Sequence, residues 1–314
     1  MKLIIQIPCL NEAGTLAVTL ADLPRQVDGF TSVEWLVIDD GSTDDTAEIA
    51  RRNGVDHVVS HVGNKGLAAA FMTGIEACLE RGADVIVNTD ADNQYCADDI
   101  PKLTAPVLAG KADIVIGARP IAQIEHFSPI KKMLQRFGSW VIRSVSGTDT
   151  RDAPSGFRAF SSHAARRLVV FGSYTYTLET IIQARRKNLQ VLSVAIRVNA
   201  DLRPSRLVRS IWSYVWRSLI TILRILVIYY PARFFLTIGG TLFALGMIFA
   251  LRFVYFYFTD GGAGHVQSVV LAGTLLTTGF VTVLVAFLAD IVAANRRLLE
   301  DIRARQWNQS HHQR

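Results

Sequence analysis

Two long segments without a charged residue, at residues 234–251 and 266–289, restrict what the C-terminal third of this chain can form. They contain 18 and 24 residues, and an α-helix rises about 1.5 Å per residue. Both can therefore cross an apolar layer of about 30 Å, the shorter one with help from its flanking aromatic residues. The sequence predicts a transmembrane hairpin over residues 233–292, with helices at about 234–257 and 266–290.

The charges around this hairpin predict its orientation. The connecting loop, "TDGGAGH", contains no Lys or Arg, whereas arginines precede the first segment and follow the second, at Arg224, Arg233, Arg296, Arg297, Arg303 and Arg305. Because cytoplasmic loops are enriched in Lys and Arg, both ends of the hairpin are predicted to be cytoplasmic. We expect a protein of the inner or plasma membrane with two spans, a cytoplasmic N-terminal domain and a cytoplasmic tail over residues 293–314.

A helical pattern with a basic face precedes the hairpin, over residues 205–230. At about 100° per residue, four arginines fall within an arc of about 80°, namely Arg206, Arg209, Arg217 and Arg224. Apolar residues, Trp212 among them, fill much of the remaining surface. A basic amphipathic helix that contains Trp is typical of the membrane interface. The alternative is a surface helix of the preceding domain.

Net charge is distributed unevenly along the chain. Residues 1–200 carry 21 Lys and Arg against 22 Asp and Glu, whereas residues 201–314 carry 12 against 5. The first 200 residues contain no basic tract with interleaved aromatic residues, so the pattern argues against nucleic-acid binding. The basic C-terminal third instead favours contact with an anionic membrane surface.

Short apolar runs alternate with amphipathic stretches in the first 120 residues. Strands are predicted at 3–7, 34–38, 57–59, 84–88 and 114–117, and helices at about 15–27, 43–53, 66–81 and 98–109. This alternation indicates an α/β domain built on a mostly parallel sheet, which we expect to span residues 1–204. Ligands of such sheets bind beyond the carboxyl ends of the strands. Three polar segments fall there: "PCLNE", "DDGSTD" and "DADNQ".

The segment "DADNQ" follows the fourth predicted strand and has the donors for a divalent cation. In extended backbone, residues i, i+2 and i+4 face the same way, so Asp90, Asp92 and Gln94 could converge on one ion. Oxygen ligands of this kind suit Mg²⁺ or Mn²⁺, which leave positions open for phosphate oxygens. The alternative is an Asx-type turn after a strand.

Six segments together resemble a known family. In order, they are "PCLNE", "DDGSTDDT", "NKGLAAAFMTG", "DADNQY", "GAR" and "DAPSGFR". The chain looks like a family 2 glycosyltransferase of the membrane-anchored branch, similar to dolichyl-phosphate mannose synthases and polyprenyl-phosphate hexose synthases. The resemblance covers about residues 3–230, and the C-terminal hairpin also suits that branch.

The resemblance implies a GT-A fold, which is Rossmann-like, and a set of site residues. The nucleotide-sugar would be bound by Pro8, Asn11, Glu12, Asp39, Asp40, Lys65, Asp90, Ala91 and Asp92. Mg²⁺ or Mn²⁺ would be bound by Asp90, Asp92 and Gln94. The catalytic residues would be Asp92, Asp152 and Arg119, and the phosphate of the lipid would be bound by Arg119, Lys131, Lys132, Arg136, Arg158 and Arg206. Two positions depart from the family pattern: Gln135 replaces a phosphate-binding Ser, and Tyr95 replaces the usual His.

The implied activity is inverting transfer of a single sugar from a GDP- or UDP-hexose to a polyprenyl phosphate at the cytoplasmic membrane face. Expected partners are the donor, the acceptor, the bilayer and a second copy of the chain. A lipid hydroxyl as acceptor would need a general base, for which Asp152 is the candidate. Two competing functions are a polysaccharide synthase, although no Q-x-x-R-W segment is present, and a non-catalytic membrane subunit that binds nucleotide-sugars. For Lys131, Lys132 and Arg136 the competing interpretation is a solvated helix face.

Overall fold

The computed structural model describes residues 1–120, 150–170, 176–200, 216, 220, 223–224, 226–261, 264 and 266–312. The chain divides into two compact units, Met1–Val215 and Trp216–Arg314. The predicted interfacial helix over residues 205–230 lies largely outside the described residues. Its place at the membrane interface stays a prediction.

The first unit is built on a seven-stranded sheet with the order β3-β2-β1-β4-β6-β5-β7. The strands are β1 Lys2–Cys9, β2 Ser32–Asp39, β3 His57–Ser60, β4 Val85–Asn88, β5 Ile114–Ala118, β6 Arg158–Ser161 and β7 Val191–Ala195. Strand β6 runs antiparallel to both of its neighbours, and the other pairs are parallel. All five predicted strands form, which confirms the α/β class and the mostly parallel sheet. Strands β6 and β7 were not predicted.

Six helices pack around this sheet within the described residues. They are α1 Leu16–Asp22, α2 Thr46–Arg52, α3 Leu67–Glu80, α4 Ile100–Leu108, α5 Ser162–Arg167 and α6 Thr177–Arg186. The first four correspond to the predicted helices, although α1 ends five residues early and a 3₁₀ turn at Ala97–Asp99 precedes α4. Because helices cover both faces, the central strand β1 is buried from Leu3 to Cys9 and consists almost entirely of apolar residues.

The exception in β1 is Gln6, which is fully buried. Its side-chain N–H donates to Asn88 Oδ1 on the neighbouring strand β4 at 2.8 Å. Helix α3 crosses the sheet closely at this point, because a Cβ atom at Gly74 would overlap the Gln6 side chain and lie 2.7 Å from Ile38 Cδ1. The glycine at position 74 therefore reflects tight helix–sheet packing, whereas Gly66 precedes α3 and has a positive φ of 94°.

The second unit contains two long helices, α7 Pro231–Asp260 and α8 Val266–His312, which pack as a hairpin. Gly239 and Gly279 let the helices approach, since a Cβ atom at Gly279 would lie 2.7 Å from the backbone nitrogen of Phe243. The stretches Pro231–Thr259 and Val266–Arg296 are long and apolar enough to cross a membrane. Only 11% of the most apolar part of each is buried, unlike the core helix of a soluble protein.

Candidate active site

The polar segments that follow β1 and β2 interlock at the carboxyl edge of the sheet. Asn11, in a left-handed conformation with φ of 55°, accepts the backbone N–H of Thr43 through Oδ1 at 2.8 Å. Its own N–H donates to Ser42 Oγ at 2.9 Å, and the N–H of Glu12 donates to Thr46 Oγ1 at 2.9 Å. The predicted convergence of these two segments is therefore present, and Asn11 is one of the residues that joins them.

Two adjacent carboxylates at the end of β2 have different surroundings. Asp39 accepts one backbone N–H, from Ser42, at 3.0 Å. Both oxygens of Asp40 are occupied: they accept the backbone N–H groups of Lys65 and Gly66 at 2.9 and 2.8 Å, and one also contacts His61 Nδ1 at 2.7 Å. Asp40 thus anchors the loop before α3, while the side chain of Lys65 is exposed.

The loop that follows β4 carries Asp90 and Asp92 and is supported from two sides. From α1, Thr19 Oγ1 donates to the carbonyl of Ala91 at 2.9 Å, and Asp22 accepts the side-chain N–H of Asn93 at 2.7 Å. From the segment after β7, Asn199 donates its backbone N–H to the Gln94 carbonyl at 2.9 Å and a side-chain N–H to the Asn93 carbonyl at 3.0 Å. We refer to residues 89–96 as the Asp90 loop.

The two carboxylates of the Asp90 loop lie close enough to affect one another. Burial, followed by repulsion from Asp92, raises the pKa of Asp90 to about 7, although the Arg119 guanidinium acts in the opposite direction. Gln94 points its side-chain oxygen towards Arg119 Nη1, at 3.4 Å. In the protein alone, this pair of carboxylates is therefore short of positive charge.

Arg119 and Asp152, both expected to be catalytic, form a buried ion pair with each other. Arg119 Nε donates to Asp152 Oδ2 at 2.7 Å and Nη2 donates to Oδ1 at 3.1 Å, and the backbone N–H of Arg119 also approaches Oδ2. The side chains are 9% and 1% exposed. Because both oxygens of Asp152 accept hydrogen bonds from a permanent cation, this carboxylate is poorly suited to act as a general base.

The segment "SGF" packs directly against Asp90. A Cβ atom at Gly156 would lie 3.0 and 3.1 Å from the two carboxylate oxygens of Asp90 and 2.9 Å from the Tyr176 hydroxyl. The Gly156 carbonyl accepts a side-chain N–H of Asn88 at 2.9 Å, and Asn88 also donates to the Tyr176 hydroxyl at 2.8 Å. A glycine is required here because a side chain would displace Asp90.

Arg158 does not reach the site, and its expected role in binding the lipid phosphate is not supported. The residue is fully buried at the start of β6. Its guanidinium donates to three backbone carbonyls, of Ala153, Ser155 and Thr177, at 2.7 to 2.8 Å, and to Thr180 Oγ1 at 2.6 Å. Burial lowers its pKa to about 10. Arg158 instead fixes the path of the segment that carries Gly156.

Four of the expected site residues are not among those that the structure describes. Lys131, Lys132, Arg136 and Arg206 lie outside the described residues. Residues that the sequence reasoning missed include Asn88 and Tyr176, which bind the backbone of Gly156. Asn88 carried a signal, as a polar residue in an apolar strand. Tyr176, 20 residues beyond Gly156, carried none.

The residues present fit a divalent cation that is shared with a phosphate ligand. Within the described part of the chain, no group of three or more His, Cys, Asp or Glu side chains is arranged to bind a metal. Mg²⁺ and Mn²⁺, however, are commonly bound by one or two carboxylates together with phosphate oxygens and water. Asp90 and Asp92 supply two carboxylates. Burial and repulsion from Asp92 raise the pKa of Asp90, and the positive charge of a bound cation would offset both effects.

Comparison with known proteins identifies the family. Residues 4–170, more than half of the chain, match the family model described as "Glycosyl transferase family 2". The chain belongs to glycosyl transferase family 2. The Asp90 loop, the segment that carries Gly156 and strands β2 to β6 all fall within the matched region, whereas β7 lies beyond it.

Curated relatives match between about half and two thirds of the chain. An undecaprenyl-phosphate mannosyltransferase of Micrococcus luteus is 28% identical over 218 residues, which are 66% of this chain and 88% of the relative. A UDP-N-acetylglucosamine–dolichyl-phosphate N-acetylglucosaminyltransferase of Methanococcus voltae is 30% identical, over 52% of this chain and 73% of the relative. An uncharacterized protein of Methanocaldococcus jannaschii is 33% identical, over 62% and 81%.

Solved structures show the same fold. The glucosyl-3-phosphoglycerate synthase of Mycobacterium tuberculosis, in complex with Mn²⁺, UDP-glucose and phosphoglyceric acid, superposes with a TM-score of 0.56 at 22% identity, over 70% of this chain and 79% of that one. The same enzyme has been solved with Mg²⁺ and UDP, with a TM-score of 0.53. The first unit therefore has a GT-A-like fold, and two long apolar helices follow it.

Proposed function

We propose that this glycosyltransferase moves one sugar from a GDP- or UDP-hexose to a polyprenyl phosphate, with inversion at the anomeric carbon. The observation that carries the proposal is the mutual pairing of Arg119 and Asp152 beside the Asp90 loop. This pairing engages Asp152, the candidate base. Asp90 and Asp92 are the carboxylates that stay available to a cation. An acceptor that needs no base fits this arrangement best.

A phosphate monoester is such an acceptor. Its second pKa is near 6, so it arrives largely ionised at neutral pH. A hydroxyl acceptor would have to lose a proton during the reaction, which disfavours transfer to a lipid hydroxyl or to a growing polysaccharide. Relatives named for transfer to undecaprenyl phosphate and dolichyl phosphate support the same class of acceptor.

The reaction is a single displacement. An oxygen of the acceptor phosphate forms a bond to the anomeric carbon as the bond to the donor diphosphate breaks, and the electron pair leaves on the nucleoside diphosphate. A divalent cation bound by Asp90 and Asp92, with Gln94 as a further expected ligand, would neutralise charge on that leaving group. The sugar passes through an oxocarbenium-like transition state, and the half-buried Asp92 completes the carboxylate pair.

The remaining residues of the site position the donor. Asn11 and Glu12 fix the segment after Pro8 against the loop after β2, which places Asp39 at the edge of the sheet. We assign the nucleoside to this edge and the diphosphate to the Asp90 loop at Ala91. The basic residues proposed for the lipid phosphate are Lys131, Lys132, Arg136 and Arg206, together with Arg119, whose guanidinium acts on Asp90.

A lipid acceptor requires the catalytic domain to work at a membrane surface. The apolar surfaces of α7 and α8 are suited to anchor it there. We propose that the domain and both termini face the cytoplasm, as the arginines around the hairpin predict.

The test uses membranes that contain the full chain, undecaprenyl or dolichyl phosphate, and a panel of labelled nucleotide-sugars, with and without EDTA. We expect EDTA-sensitive label in a lipid that mild acid hydrolyses. Asp92→Ala should abolish transfer while membrane insertion is unchanged, and Asp98→Ala, which removes an exposed carboxylate after the same loop, should leave transfer intact.

Different products would support different functions. Label in a long insoluble polymer or in a neutral glycolipid would replace the proposed acceptor. Nucleotide binding without transfer from any donor would indicate a non-catalytic subunit. Normal turnover by Asp92→Ala would refute the metal site.

A further inference from the structure

Tyr95 lies near the end of the Asp90 loop, and its side chain is almost completely buried. Its ring stacks on Phe157, with centroids 5.0 Å apart and the rings 11° from parallel. The loop turns back at Asn93, which has a positive φ of 56°, and this turn brings residue 95 next to residue 90. A backbone bridge between Tyr95 and Val198 fixes the end of the loop.

The hydroxyl of Tyr95 has two neighbours of different kinds. It accepts the backbone N–H of Gly156 at 3.0 Å. A phenol that accepts this N–H still has its own O–H to donate, and the Tyr95 hydroxyl lies close enough to the Asp90 carboxylate to lower the pKa of that group. The same Gly156 backbone lies against Asp90, because a Cβ atom there would contact both carboxylate oxygens.

From this geometry we propose that Tyr95 is a positioning residue, whose hydroxyl orients the Asp90 carboxylate towards the divalent cation. The O–H occupies one lone pair of the carboxylate and, through Gly156, ties it to the segment after Asp152. The carboxylate is therefore held in one orientation before the cation arrives. This inference rests on the proposed metal site at Asp90 and Asp92.

A role in packing alone would not require the hydroxyl. Phenylalanine offers the same ring for stacking on Phe157, so Tyr95→Phe separates the ring from the hydrogen bonds. Partners that orient metal-binding carboxylates typically contribute 10- to 100-fold to metal affinity. We expect Tyr95→Phe to weaken the binding of Mn²⁺ by at least about tenfold.

Tyr176 supplies a matched control. Its hydroxyl is also buried and lies beside the same glycine, but it accepts from Asn88 and donates to the Gly156 carbonyl. Tyr176→Phe thus removes a buried hydroxyl from the same network without removing the donor to Asp90. We expect its Mn²⁺ affinity to stay within about threefold of that of the wild type.

The experiment is a titration of the purified full chain with Mn²⁺, alone and with saturating UDP or GDP. Electron paramagnetic resonance reports the free Mn²⁺, and thermal unfolding in EDTA reports the stability of each variant. Selective loss of Mn²⁺ affinity in Tyr95→Phe supports the proposal. Unchanged affinity in that variant, or an equal loss in Tyr176→Phe, overturns it.

Two further variants complete the design. Tyr95→His shortens the side chain and withdraws the donor from Asp90, so it should bind Mn²⁺ at least about tenfold more weakly than the wild type. If Tyr95→Phe does not fold, this variant decides alone, and wild-type affinity in it overturns the proposal. Asp92→Ala tests the underlying site: if it binds Mn²⁺ as the wild type does, the metal-site assignment fails and Tyr95 has no cation to serve. A failure confined to Tyr95→Phe leaves the proposed function intact.

Discussion

Replacing Arg158 by Lys distinguishes a structural arginine from a phosphate-binding one. The substitution keeps a positive charge but replaces a planar fork of donors by a single ammonium group. In the structure, the fork reaches the carbonyls of Ala153, Ser155 and Thr177, which lie on different sides of the guanidinium. An ammonium group cannot reach all three, and Thr180 Oγ1 already donates to the Thr177 carbonyl at 3.1 Å.

The expected loss of stability follows from the carbonyls left without a donor. The Thr177 carbonyl keeps its bond from Thr180, so the carbonyls of Ala153 and Ser155 are the two that lose a donor. At about 1–3 kcal/mol for each unpaired carbonyl, the free energy of unfolding should fall by about 4 kcal/mol. For a domain of about 200 residues, a change of 1 kcal/mol shifts the melting temperature by roughly 2–4 °C. Arg158→Lys should therefore lower the melting temperature of the catalytic domain by about 10 °C.

The assay is thermal unfolding of the purified full chain, followed by transfer at a temperature where the variant is folded. Arg51→Lys, which changes an exposed arginine of α2, is the control and should melt like the wild type. If Arg158→Lys melts within about 2 °C of the wild type yet needs more polyprenyl phosphate, the buried arginine binds the acceptor and the reasoning is wrong.

Three further changes test other parts of the site. Without metal, the raised pKa of Asp90, about 7 against about 4 in an unfolded chain, means that the folded state binds more protons across that interval. The melting temperature in EDTA should therefore fall as the pH rises from about 4 to about 7; Asp90→Asn should remove this fall, and an unchanged slope would contradict the assignment. Among the described residues, Ser155 Oγ is buried without a hydrogen-bond partner, so Ser155→Ala should not lower the melting temperature; a lower value would reveal a partner. Lys131→Ala/Lys132→Ala should raise the polyprenyl phosphate concentration needed for half-maximal transfer, and an unchanged requirement would assign the pair to a solvated helix face.

The predicted strands form because their burial is visible in the sequence. Strand β1 is apolar at nearly every position since helices cover both of its faces. Strand β6 was missed because it begins with Arg158, and a charged residue after "DAPSGF" is typical of a turn. Strand β7, "VLSVA", lies at the sheet edge, where each of its residues is at least partly exposed, and a short apolar run does not by itself distinguish a strand from part of a helix.

Residue types in the site were predictable, whereas their partners were not. The polar segments after β1, β2 and β4 converge, as the carboxyl ends of parallel strands must. Sequence order does not show which oxygen accepts from which donor. Asp39 and Asp40 are adjacent, yet only Asp40 has both oxygens occupied by the loop before α3. Arg119 and Asp152 are 33 residues apart, and only the fold reveals that they neutralise each other.

This pairing determines what the Asp90 loop requires. If Arg119 were available to Asp90 and Asp92, one guanidinium would offset much of their charge and a diphosphate could bind there without help. Because Asp152 accepts from Nε and Nη2 of that guanidinium, most of its positive charge is already balanced, and burial still raises the pKa of Asp90. A diphosphate brought to this loop would add further negative charge at short range. We therefore propose that a divalent cation serves donor binding as well as departure of the leaving group, which would explain why two carboxylates lie where an enzyme for anionic substrates would otherwise place cations.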